Sequence, residues 1–147
     1  MDLSKFTRDE LIMAGVAVLL AIDLLFGPWF DISVSFGTFH VSATSSATGS
    51  PDGWLGVLAL LTTLALIADL ALERLGNVDL PAIGGGRATT RLVLASVAAG
   101  FVGLKFLFHI HFDLFGFGFW AAVVLAAALV ASTARARDAE RVTATLA

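Results

Sequence analysis

The residues best equipped for chemistry lie within Phe101–Trp120, FVGLKFLFHIHFDLFGFGFW, where Lys105, His109, His111 and Asp113 interrupt a stretch that is otherwise hydrocarbon. Three readings of this group are open. On a continuous helix, Lys105, His109 and Asp113 recur every fourth residue and share a face with Phe101, Phe108 and Phe112 beside them, a polar ladder able to relay protons. If residues 109–113 are extended instead, His109, His111 and Asp113 point the same way and form, with His40, a set of metal ligands. In the third reading the histidines are interfacial and bond to loop backbone or water. Three further ionisable residues stand in apolar surroundings: Asp23, Asp69 and Arg91.

The elements that must position these groups follow from composition. Of 147 residues, 58% are hydrophobic and 14% charged, with a mean hydropathy of +0.90. Soluble domains carry about 25% charged residues, so this chain belongs with membrane proteins. A net charge of −3 and the absence of a basic patch exclude nucleic acid as a partner; the absence of cysteine excludes disulfides, thiolate metal sites and iron–sulfur clusters. Crossing a bilayer takes about 20 apolar residues. Four stretches qualify, spanning about 9–28, 53–75, 89–110 and 117–132, and they predict a single-domain, all-α membrane protein, a four-helix transmembrane bundle. A signal peptide is the rival reading of the first stretch, but no small-x-small cleavage site follows it.

The outer loop, 29–52, has no Lys or Arg. In it Ile32, Val34 and Phe36 alternate with serines, and Phe39, Val41 and Ala43 alternate with His40 and Ser42, around Gly37-Thr38. That pattern predicts a β-hairpin with a Gly-X turn, lying on the membrane surface with its apolar face down on the helices or on a partner. Trp29 and Trp54 bracket the loop as interface anchors. The tail from Thr133 is polar and expected to fray.

Orientation follows from the basic residues. Lys5, Arg8, Arg74, Arg87, Arg91, Arg135, Arg137 and Arg141 fall at one side of the spans and only Lys105 at the other. The positive-inside rule makes the first side cytoplasmic. Both termini are then inside the cell membrane, with hairpin and histidines outside. Asp23 and Lys105 lie at equal depth, ~7 Å outward of the midplane at 1.5 Å per residue, and are expected to pair between spans one and three. Asp69, in the inner half of span two, is expected to find Arg91 or Arg74. On span three the small residues Ser96, Ala99, Gly100 and Gly103 form a face suited to close helix packing.

No Ser–His–Asp spacing, H-E-x-x-H, P-loop or dinucleotide fingerprint is present. Gly84-Gly85-Gly86 follows no strand and lacks the Gly-Lys-Ser/Thr ending of a phosphate loop. A bis-histidine haem needs two facing histidines, and spans one, two and four have none. No cofactor is implied.

Four spans, both ends inside and a strand-forming outer loop bounded by Trp29 and Trp54 give a topology similar to that of the claudins and the related peripheral myelin proteins. The GLW motif and the cysteine pair of the claudin loop are absent, so the pore function of that family does not carry over. Pro28-Trp29, the Ser-rich stretch 33–46 and Gly53-Trp54 also resemble small tetraspan membrane proteins of high-GC bacteria, a resemblance that implies no activity.

Three functions are compatible with these residues. The first is a non-enzymatic scaffold whose partners are the lipid bilayer and itself or another membrane protein. The second is a channel or transporter subunit using Asp23, Lys105, His109 and Asp113 as an intramembrane polar cluster. The third is an enzyme or metal carrier built on the outer histidines. Lys105 on the axis of a ring of subunits would favour the second, and Lys105 buried inside one protomer against Asp23 would favour the first.

Overall fold

The computed structural model describes residues 6–76, 82, 86–109 and 115–146. Among these residues the order is α1 (Arg8–Phe26), β1 (Phe30–Phe36), β2 (Phe39–Ser45), α2 (Gly53–Gly76), α3 (Arg87–Phe108) and α4 (Phe117–Leu146). Each helix packs on the next and α4 closes back on α1. Ion pairs join the start of α1, the end of α2 and the start of α3. At the opposite end, the start of α4 meets the end of α1, where Gly118 approaches Gly27 and Pro28. The helices therefore alternate in direction, with a charged end and a hairpin end.

Three of the four, α2, α3 and α4, are long and apolar enough to cross a membrane. At 1.5 Å per residue α2 and α3 measure ~36 and ~33 Å, against a hydrocarbon layer of ~30 Å. Helix α1 is shorter and carries Arg8, Asp9, Glu10 and Asp23, yet its outward face, with Leu11, Ile12, Leu19 and Ile22, is as apolar as its inward one. A helix in water would carry polar residues there.

Local chemistry sets the ends. Thr7 caps α1 in a reciprocal box with Glu10, satisfying two of the orphan amide donors. Pro28, which has no N–H to offer, follows the last turn. Helix α4 continues to Leu146, past the point where the polar tail was expected to fray. After Gly118 it contains neither glycine nor proline, and Ala, Arg and Glu are strong helix formers.

The core is a set of seams with spacing of three and four residues: Met13, Ala17, Leu20 and Leu24 on α1; Ala59, Thr63, Leu66 and Leu70 on α2; Phe119, Ala122, Ala126 and Leu129 on α4. On α3 the buried seam is Arg91, Ala95, Ala98, Val102 and Lys105. This corrects the packing face expected from the small residues. Ser96 and Gly100 are exposed, Ala99 and Gly103 half-buried, and a Cβ on Gly100 or Gly103 would meet nothing within 4 Å. Ala95 and Ala98 allow the same close approach, and the helix turns the face that buries both Arg91 and Lys105 inward.

Glycine is required where backbones touch. A Cβ on Gly56 would lie 2.0 Å from the carbonyl oxygen of Ala47, whereas one on Gly15 meets nothing within 4 Å. Gly56→Ala is expected to cost about 1–3 kcal/mol through overpacking and Gly15→Ala to be neutral or mildly stabilising. Thermal unfolding of the two variants in detergent measures the difference.

The hairpin forms as its alternation predicts. Phe36 pairs with Phe39 across Gly37-Thr38, in a register that runs back to Phe30 opposite Ser45, and Gly37 supplies the positive φ, 61°, that the turn needs. Phe30, Ile32, Phe36, Phe39, Val41 and Ala43 share one face. Asp31, Ser33, Ser35, His40, Ser42 and Thr44 share the other. Only the base of the apolar face is covered: Phe30 is buried, while Phe36 and Phe39 at the tip are 76% and 77% exposed.

Candidate functional site

Two groups of ionisable residues occupy the two ends of the bundle. At the charged end Arg91, almost fully buried, directs its fork at three carboxylates. Nε donates to Asp69 Oδ2 at 2.7 Å, Nη1 to Glu10 Oε1 at 3.4 Å, and Nη2 to Glu73 Oε2. Arg74 adds Nε and Nη2 to the same Glu10 oxygen at 2.9 and 2.6 Å. Arg87 Nη1 lies 3.9 Å from both Asp69 and Glu73. Three guanidinium groups thus face three carboxylates, and one arginine from α3 ties α1 to α2. Of the two arginines expected near Asp69, Arg91 bonds to it and Arg74 turns to Glu10. Glu10 was not anticipated, although the Thr7-x-x-Glu10 capping signature is visible in the sequence.

At the hairpin end Lys105 closes the α3 seam and is 1% exposed. Its ammonium donates to the carbonyl oxygens of Ala47 and, at 3.5 Å, Gly49, and lies 5.6 and 5.5 Å from the ring centroids of Trp29 and Phe30. Backbone dipoles and ring faces make its close contacts, and Asp52 adds a coulombic attraction from the same loop. The ion pair expected between Lys105 and Asp23 does not form. Asp23 Oδ2 accepts from Trp29 Nε1 at 3.1 Å, so the indole stands between them, its edge on the carboxylate and its face toward the ammonium. Trp29 is accordingly not an interface anchor but a fully buried residue, packed edge-on to Phe119 with centroids 5.5 Å apart. Trp54 and Trp120 remain exposed.

His109, just past the end of α3, donates from Nδ1 to the Lys105 carbonyl at 3.1 Å and holds Nε2 3.4 Å from Asp52 Oδ2. His40 is out on the hairpin, its Nδ1 2.8 Å from Ser35 Oγ. Among the described residues no three His, Asp or Glu side chains are grouped to hold a metal ion. His111 and Asp113, invoked for the metal set and the polar ladder, lie outside the described residues. A cavity of about 160 Å³ lies at the base of the hairpin, with Phe30, Ile32, Ala43, Pro51 and His109 in its walls; the Phe30 and His109 rings meet edge-on with centroids 5.7 Å apart. Lys105 offers no open face to a substrate there; its donors are spent on the loop that leads into α2.

No known family model, characterised protein or solved structure matches the chain. Its class follows from its own helices: three of them are apolar and long enough to cross a bilayer, and they mark a polytopic membrane protein.

Proposed function

We propose that the chain is a four-span protein of the cell membrane (plasma or inner), with both termini cytoplasmic and the hairpin outside, serving as a non-enzymatic scaffold or interaction subunit of a homo-oligomer or a larger membrane complex. The observation that carries this reading is that Arg91 and Lys105 are both satisfied inside one protomer. A conducting subunit would keep such groups facing water or a shared axis. The apolar outward face of α1 supports counting it as a span. The arginines at the charged end and on the α4 extension support the cytoplasmic assignment of that end.

The open face of α3 is where a neighbour would approach. Small residues at Ser96, Gly100 and Gly103 admit a second helix to backbone distance, and among the described residues nothing lies within 4 Å of a Cβ on Gly100 or Gly103. Gly100→Leu is expected to leave protomer stability within about 0.5 kcal/mol of wild type while shifting the distribution of assemblies toward smaller species. Native mass spectrometry from mild detergent, with unfolding followed in parallel, reads both. An unchanged distribution with unchanged stability would count against this face as a contact.

A further inference from the structure

The hairpin leaves an apolar surface at the end of the bundle that no part of the described chain covers. Ile32, Phe36, Phe39 and Val41 are 47%, 76%, 77% and 65% exposed on one face, and every residue on the opposite face except Asp31 is Ser, Thr or His. We infer that this apolar face is a membrane-contact surface, seated in the headgroup–acyl boundary of the leaflet at the hairpin end.

Size argues for lipid over a protein partner. Seven-residue strands at ~3.3 Å per residue, two strands wide, give a face of about 230 Å², whereas a stable protein interface takes about 800 Å² from each partner. A tethered element needs no such area. The spanning helices already hold it at the bilayer, so only local partition of the face remains. Position argues the same way. The strands start at Phe30, four residues beyond the exposed Phe26, and the exposed Trp54, Phe117 and Trp120 mark the same end of the bundle, so the face continues the aromatic belt that fixes the interface level. The cavity at its base opens on Phe30, Ile32 and Ala43 of that face and, at a size comparable to cavities that hold benzene, takes the end of an acyl chain. No Lys or Arg occurs between Asp9 and Glu73. The contact is therefore apolar and not a response to anionic headgroups.

This inference rests on the four-span arrangement proposed above, and the test separates the two. The chain has no cysteine, so single cysteines can carry a spin label in phosphatidylcholine nanodiscs. Collision with oxygen and with a water-soluble nickel complex then reports each position. Labels at Ile32→Cys, Phe36→Cys and Val41→Cys are expected to lose nickel collisions and gain oxygen. Labels at Ser33→Cys and Ser42→Cys should do the reverse, and the pattern should survive high salt or phosphatidylglycerol. Leu61→Cys and Val124→Cys, on the outward faces of α2 and α4, are the controls. Shielded controls with uniformly wet hairpin positions overturn the inference alone; wet controls overturn the spans and the inference together. Shielding of the hairpin that disappears when each disc holds one copy would assign the face to a second protomer and overturn the lipid contact.

Discussion

Arg91→Met should lower stability by about 3–5 kcal/mol, the cost of removing one partner from a buried charge network. The side chain that replaces Arg91 fills similar space, so the loss is electrostatic. Among the described residues Asp69 and Glu73 would keep Arg87 at 3.9 Å as their one cationic partner, and Glu10 would keep Arg74 at 2.6 Å with its capping bonds from Thr7. Arg91→Lys should recover little, because one ammonium cannot present three donors in a plane to carboxylates on two helices. The network also predicts non-additivity. In the Arg91→Met background, Asp69→Asn should restore part of the loss, since it removes a carboxylate left with the longer Arg87 contact; in the wild-type background the same change should be costly. Unfolding titrations of the four proteins in mixed micelles give the coupling directly. Additive effects would mean that Asp69 and Arg91 do not share an environment.

How far the sequence disclosed this arrangement depends on what each feature rests on. The helices were legible because apolar runs of this length, with few or no charges inside them, leave little alternative, and the hairpin because its period of two lies against helical flanks and its turn contains glycine. Asp69, late in the second span, and Arg91, early in the third, fall at the same end of antiparallel helices, which leaves Arg91 and Arg74 as candidate partners without choosing between them. Rotation of α3 about its axis could not be fixed that way. Small residues occur on two faces, and the decisive fact, that Arg91 and Lys105 lie on the same seam as Ala95 and Ala98, requires knowing that both cations have partners inward.

The partners of Lys105 were hidden for a different reason. They are main-chain carbonyls of a loop, and no residue type announces a carbonyl. Among the acidic side chains of the spans only Asp23 matches Lys105 in depth, and it is already engaged by the Trp29 indole. Trp29 misled in the same way: a tryptophan beside a helix end usually marks the interface, and here its N–H finds a carboxylate inside the bundle. Asp52, the neighbour of His109, sits in the link before α2, where composition indicates only a turn.

Lys105→Met gives the second large effect. Methionine fills the same space but leaves the Ala47 and Gly49 carbonyls without their donor, at about 1–3 kcal/mol for each buried acceptor; relief from burying an ammonium offsets part of this, and a net loss of about 2–4 kcal/mol is expected. Asp23→Asn should be much milder, because the amide oxygen still accepts from Trp29. That asymmetry separates the clasp from an ion pair. If Asp23 and Lys105 neutralised one another, each single change would strand a charge and the two would cost alike, with the double variant recovering stability. In the clasp, the double variant should lose nearly as much as Lys105→Met alone. The loop should also loosen: hydrogen exchange at residues 46–52 is expected to accelerate in Lys105→Met and to remain slow in Asp23→Asn. Equal exchange in both variants would remove the reason for a lysine buried at the end of the α3 seam.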